Sequence, residues 1–175
     1  ARVMSRFAYV ASAENNHYMV WQAMLFHYSC VMSTREAPVI VVHKDDDPLL
    51  DGFNLIRDRG GIVQTAPNYR WTGGVHYPPR NTAATLLHVE TDADYIVLCD
   101  PDMIFTGSPP LERYRLDDDQ VSFDRLTYLD PNRETFPAML SHVCQAVGVP
   151  LDLLHTQPIN GGVPHIVPRD MKNDL

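Results

Sequence analysis

Two carboxylates one residue apart, Asp100 and Asp102, close a run of five apolar or aromatic residues, Tyr95-Ile96-Val97-Leu98-Cys99. The run predicts a buried strand, and in extended backbone alternate residues point the same way, so both carboxylates are expected on one side of the strand's end. Pro101 has no N–H to give a ladder, which places the pair at the end of the strand and not within it. Two hard oxygen donors at such an edge suit Mn²⁺ or Mg²⁺, ions that keep other coordination positions for water and phosphate oxygens. A metal there would neutralise the charge growing on a departing diphosphate. Asp-x-Asp after a strand also occurs in haloacid-dehalogenase phosphatases. That motif follows the first strand and carries Thr or Val two residues past the second Asp, where this chain has Ile104 after a fourth strand.

Other reactive side chains carry less. The 8 histidines include no pair at the i, i+4 offset of a helical metal site and read as structural or surface residues, with His165 of some interest because it lies on the last strand. Asp45-Asp46-Asp47 reads as a helix-capping turn and Asp117-Asp118-Asp119 as a solvated loop. Cys30, Cys99 and Cys144 lack metal spacing, and an odd count gives no disulfide framework; they read as small buried hydrophobes. Trp71, in the Gly- and Pro-rich loop NYRWTGGVHYPPR over 68–80, is either a core residue or an aromatic that stacks on a sugar beside the site.

The elements that must position these groups alternate as in a parallel α/β sheet. A first strand is expected over 7–11. A helix capped by Asn15 and Asn16 should run to about Met32, apolar nearly all round and therefore buried. A β-branched second strand covers 39–42. The next helix takes Asp47 as N-cap and Pro48 in its first turn, and Gly60 stops it. A short strand over 62–64 follows, then a helix capped by Asn81 and running to about Glu90, then the strand leading to Asp100. Beyond it lie a strand near 121–123, a helix opened by Pro137 and ended by Gly148, and a strand over 159–167.

At 175 residues the chain is one domain with room for a core, and 45% hydrophobic and 21% charged residues are ordinary for a globular protein. A net charge of −8 with no basic cluster argues against nucleic acid or anionic membrane as partner. No apolar run approaches the ~18 residues of a membrane span. Both ends read as cut.

Two stretches carry a family resemblance. YVASAENNHYMVWQAMLFHYS over 9–29, with Ser12, Glu14, Asn15, Tyr18, Trp21 and Gln22, resembles the first strand and helix of hydroxyproline O-arabinosyltransferases and their peptidyl-serine α-galactosyltransferase relatives. YPPRNTAATLLHVETDADYIVLCDPDMIFTG over 77–107 resembles the same family's Tyr-Pro…Asn…Asp-Ala-Asp-Met-Ile segment. A weaker likeness covers 161–170, and glycogenin-like transferases share the plan more distantly. The family's Lys after the Asn is Thr82 here, with Arg80 on the other side as another source of positive charge.

The resemblance implies a GT-A fold: α/β, Rossmann-like, a nucleotide-sugar-binding domain with a mostly parallel central sheet flanked by helices, truncated at its C-terminus. Residues 1–175 then form a single domain, 1–107 its nucleotide-binding half and 108–175 the start of an acceptor-side half. It implies transfer of a sugar, galactose or arabinose, from a UDP-sugar donor to a hydroxyl acceptor on a peptide or glycan, with Mn²⁺ or Mg²⁺. Ala11 and Ser12 would border the uridine, and Asn81 and Arg80 would face the sugar or diphosphate. Asp100 would bind ribose, metal or diphosphate, and Asp102 the metal more directly. Gly161 and Gly162 would let backbone approach the donor or acceptor. A third metal ligand, often His in this fold, is expected past Leu175. No general base is identified, and the compartment stays open. The rival reading from another class is a non-catalytic nucleotide-sugar-binding scaffold of the same fold.

Overall fold

The computed structural model describes residues 6–111, 122–123, 145 and 164–173. The chain divides into two compact units, one made of 1–122 with 164–175 and the other of 123–163. The first unit carries the sheet and is the one described below.

Its strands are β1 (Phe7–Glu14), β2 (Val39–Lys44), β3 (Ile62–Pro67), β4 (Trp71–Thr72), β5 (Val75–His76), β6 (Tyr95–Cys99), β7 (Ser122–Phe123) and β8 (His165–Pro168). Helices α1 (His17–Thr34), α2 (Asp51–Asp58) and α3 (Arg80–His88) connect them, and a short 3₁₀ turn, Arg169–Asn173, follows β8. The main sheet has the order β3-β2-β1-β6-β8-β7, and β4 and β5 form a separate hairpin. β1, β2, β3 and β6 are mutually parallel, while β8 runs antiparallel to β6. The expected α/β architecture with a mostly parallel sheet is therefore present.

Two apolar layers hold the sheet. Tyr9, Ala11 and Ala13 of β1 and Ile40 and Val42 of β2 pack with Phe26 of α1 and Phe53 and Ile56 of α2. On the other face Val10, Val41, Ile96 and Leu98 pack with Leu86 of α3 and with Val89 just past its end. The strands read as continuous apolar runs because both faces are covered, as parallel strands require.

Several boundaries differ from the sequence reading for local reasons. Asn16 alone caps α1, accepting from the Met19 N–H at 2.9 Å. Asn15 instead grips the loop before α2: its amide donates to Asp47 and to the Pro48 carbonyl at 2.8 Å, and its oxygen accepts from the Leu50 N–H at 3.0 Å. That grip holds Asp47 and Pro48 out of the helix, so α2 starts at Asp51 with no side-chain cap. Gly60 does end it, with φ of 84°. Gly52 is required by close packing, since a Cβ there would lie 2.2 Å from Val20 of α1. α1 itself is not buried all round, because the sheet and α2 cover only one side of it: Phe26 is fully buried while Trp21 and Leu25 are exposed. β1 runs to Glu14 and β3 to Pro67, both longer than expected. The expected helix from Pro137 to Gly148 and residues 159–163 of the last strand lie outside the described residues, except for Gln145, which is helical.

Candidate functional site

β6 delivers Asp100 to the sheet's carboxyl edge. Its last parallel pair with β1 is Ala11↔Cys99, so Asp100 comes level with Ser12 one step beyond. This is where the strand order reverses, β2 and β3 lying to one side of β1 and β6 to the other, and open α/β sheets bind ligands in that crevice. By alternation Ser12, Glu14 and Asp100 belong to the same face as Val10, Ile96 and Leu98, the α3 side. The alternation does not extend to Asp102. The chain turns directly after the strand, with the Met103 N–H donating to the Asp100 carbonyl at 3.1 Å, and Asp102 sits exposed in that turn. Pro101 ends the ladder as expected, and the turn it opens sets the second carboxylate's place.

The electrostatics of the pair are unbalanced. Burial pushes the Asp100 carboxyl above the usual carboxylate range, the neighbouring Asp102 adds to the rise, and His165 opposes it. His165, opposite Leu98 on β8, is itself held below the usual imidazole range by burial, with Asp100 acting against that. A half-buried carboxylate beside a second one is a site that a cation relieves. Asp100 and Asp102 are hard oxygen donors, the donor type that Mg²⁺ and Mn²⁺ take. Among the described residues no group of three His, Cys, Asp or Glu could hold a metal by itself. Phosphate oxygens and water are the partners with which Mg²⁺ ordinarily completes so sparse a protein shell.

Beside the pair, the end of β1 meets a polar cluster. The Asn81 amide donates to Glu14 at 3.1 Å and to Asn68 at 3.0 Å, and its oxygen accepts from the Tyr69 N–H at 2.8 Å. Arg70 reaches Glu14 at 3.4 Å and Asp45 at 3.5 Å. Below them His43 is fully buried, its two ring nitrogens 2.8 Å from the Pro67 carbonyl and 2.8 Å from the Thr85 hydroxyl. Burial holds His43 below the usual imidazole range, which keeps it neutral. An open cleft of about 260 Å³ lies over the carboxyl ends of β1, β2 and β3, lined by Glu14, Asn16, His43, Lys44, Asp45 and Arg70 among others.

The predicted residues fall into distinct places. Ala11, expected to border the uridine, lies inside β1, paired with strands on both sides, and its side chain is fully buried in the α1–α2 layer. Ser12 is also within β1, 6% exposed. Asn81 lies in the first turn of α3 at 3% exposure, and its side chain is committed to the cluster around Glu14. Arg80 braces the β4–β5 hairpin, donating to the Thr72 carbonyl at 3.3 Å and the Val75 carbonyl at 3.1 Å, and it sits over the Tyr77 ring. Gly161 and Gly162 lie outside the described residues. The structure thus gathers Ser12, Asn81, Asp100 and Asp102 at one edge. It adds Glu14, Asn68 and Arg70, which sequence reasoning assigned no role. Glu14 carried a signal, since it lies within the first resembling stretch. Arg70 lay in a segment read only as a loop.

That loop contains structure. Gly73 and Gly74 both have positive φ, 58° and 78°, the backbone of a tight two-residue hairpin turn. The hairpin shows Trp71 to solvent at 61% exposure, its ring centroid 4.5 Å from that of His76.

No family model and no curated protein matches the chain. Solved structures do. A bifunctional glycosyltransferase, WbbM, in its apo form superposes with a TM-score of 0.57 at 14% identity, over 99% of this chain and 34% of that one. The apo form of mouse xyloside xylosyltransferase 1 gives a TM-score of 0.49 at 10% identity, over 95% of this chain and 68% of that one. The chain therefore spans about a third of the WbbM chain's length. The WbbM likeness establishes a shared fold, GT-A-like in its mostly parallel sheet flanked by helices.

Proposed function

We propose that this chain is the donor-binding part of a metal-dependent glycosyltransferase that moves a sugar from a UDP-sugar to a hydroxyl acceptor. The observation that carries the reading is the Asp100–Asp102 pair at the β1–β6 crevice, where Asp100 is destabilised as an anion by burial and by Asp102. Mn²⁺ or Mg²⁺ held there would supply charge neutralisation for a diphosphate leaving group. The shared fold with WbbM, described as a bifunctional glycosyltransferase, supports the same reading.

The chain's own residues then have separable roles. Asp100 and Asp102 hold the ion and through it the diphosphate. The cleft over β1, β2 and β3 takes the nucleoside, with the Lys44 and Arg70 cations beside it. Glu14 and Asp45 keep Arg70 aimed at the cleft. Asn81 fixes the loop that carries Arg70 by bonding Tyr69 and Asn68 on one side and Glu14 on the other. Trp71 and Tyr77, open on and beside the hairpin, give a sugar-ring face to pack on. Galactose or arabinose as donor sugar, and a peptide hydroxyl as acceptor, rest on the family resemblance. Arg80, Gly161 and Gly162 keep their expected place near the sugar only through that resemblance.

Turnover tests the reading. The chain incubated with a panel of UDP-sugars and Mn²⁺ should release UDP from one of them, and Asp102→Asn should abolish the release. Release of phosphate from simple phosphomonoesters, with no UDP from any sugar nucleotide, would favour the phosphatase chemistry instead.

A further inference from the structure

The segment that leaves the Asp100–Asp102 turn is fastened to α1. Phe105, three residues past Asp102, has both of its backbone polar groups bonded by serines of that helix. Its N–H donates to the Ser29 hydroxyl at 3.2 Å, and its carbonyl accepts from the Ser33 hydroxyl at 3.0 Å. The two serines lie four residues apart and so share one face of α1. Their hydroxyls are matched to the two tasks. A serine hydroxyl has one proton, and the buried Ser29 gives its own to the Phe26 carbonyl at 3.1 Å, which leaves its lone pairs for the Phe105 N–H. Ser33 turns its proton to the Phe105 carbonyl. The Phe105 ring completes the fastening, its centroid 5.0 Å from that of Tyr9 and 5.5 Å from that of Phe26, edge to face in both cases.

We propose that Ser29 and Ser33 are positioning residues for the metal pair, acting through Phe105 on Asp102; this rests on the reading of Asp100 and Asp102 as the ligands. The two carboxylates are held differently. Asp100 is set by the sheet, since it follows directly on the last β6 pair with β1, Ala11↔Cys99. Asp102 is exposed in the turn beyond the ladder, so its place depends on where the chain goes next. One side of that turn is closed by the Met103 N–H on the Asp100 carbonyl at 3.1 Å. The other side is the serine clamp, with only Met103 and Ile104 between Asp102 and Phe105. Met103 and Phe105 both pack against the core under α1, and Ile104 between them is exposed. Apolar packing is non-directional and would leave Phe105 free to slide along α1, whereas two directed bonds set its register. A turn tethered on both sides limits the conformations open to Asp102. That lowers the ordering cost met when an ion bridges the two carboxylates.

Amide hydrogen exchange and Mn²⁺ titration of this chain test the inference. Ser33→Val and Ser33→Thr have the same shape and differ only in the hydroxyl. Ser33→Val should speed exchange of the Met103 amide and raise the Mn²⁺ concentration for half-maximal UDP binding about fivefold, the worth of one neutral hydrogen bond. Its metal-free melt should stay nearly unchanged, because Ser33 is only half-buried. Ser33→Thr should match the wild type in exchange and in Mn²⁺ requirement. Ser29→Ala should move both readouts in the direction of Ser33→Val, with a lower melt as well because Ser29 is buried. Unchanged Met103 exchange in Ser33→Val would overturn the clamp. Faster exchange with an unchanged Mn²⁺ requirement would overturn its link to the metal pair and leave the serines a structural role alone. A wild-type chain with no Mn²⁺-dependent UDP binding would overturn the metal reading itself, and Met103 exchange would still decide whether the serines hold the turn.

Discussion

The side-chain amide of Asn81 donates to the Glu14 carboxylate at 3.1 Å, tying the first turn of α3 to the carboxyl end of β1. The same side chain also bonds Asn68 and the Tyr69 backbone, so one buried residue organises the polar edge of the sheet. Asn81→Ala leaves Glu14 and the Tyr69 N–H without these partners. Loss of such buried bonds costs about 1–3 kcal/mol. A thermal melt should show a drop of several degrees, with weakened nucleotide binding because the Arg70 loop loses its anchor.

Arg70 and Arg80 are both cations near the edge, and they separate in their consequences. Arg70 lines the cleft and is 39% exposed along its side chain, so Arg70→Ala should leave the melt nearly unchanged. Its loss should weaken UDP binding by roughly tenfold, the effect of removing one charge-assisted bond worth about 1.5 kcal/mol. Arg80→Ala should act through the hairpin it braces, loosening Trp71 with a smaller effect on UDP affinity. Equal losses of UDP affinity in both variants, read by calorimetry, would contradict this division.

Stability should fall on mild acidification. His43, His27 and His165 are all held below the ordinary imidazole value of 6.5 by burial. The unfolded chain therefore binds more protons than the folded one in the window below 6.5, so stability rises with pH there. It is fully present above 6.5 and lost as pH drops toward the folded-state values. Asp100, raised above its ordinary 3.8, acts in the opposite sense. Melts between pH 7.5 and 5.5 should show the decline, and His43→Asn should flatten it. A flat wild-type profile would contradict a buried, neutral His43.

Much of this was legible in the sequence. Continuous β-branched runs such as Val39-Ile40-Val41-Val42 fix buried parallel strands because nothing polar interrupts them. Asp100-Pro101-Asp102 announces its own place, since proline ends a ladder. What escaped depends on contacts between distant segments. Asn15 looks like a helix cap but spends its side chain on the α2 loop, 33 residues away at Pro48. Asn81 looks like another cap and is a buried strut. Arg70 acquires meaning only when β1 and β2 bring Glu14 and Asp45 to it. The open side of α1 was illegible because apolar residues on both faces imitate a fully buried helix, and burial is set by what the rest of the fold supplies.

The central claim, a metal-dependent UDP site at Asp100 and Asp102, is tested most directly by thermal melts of the wild type and Asp102→Asn with UDP, with and without Mn²⁺. A ligand at 100 times its dissociation constant stabilises by about 2.7 kcal/mol, a shift of several degrees for a domain of this size. The account predicts that shift in the wild type only when UDP and Mn²⁺ are both present, and none in Asp102→Asn. A UDP shift that needs no metal, or one that survives the substitution, would contradict it.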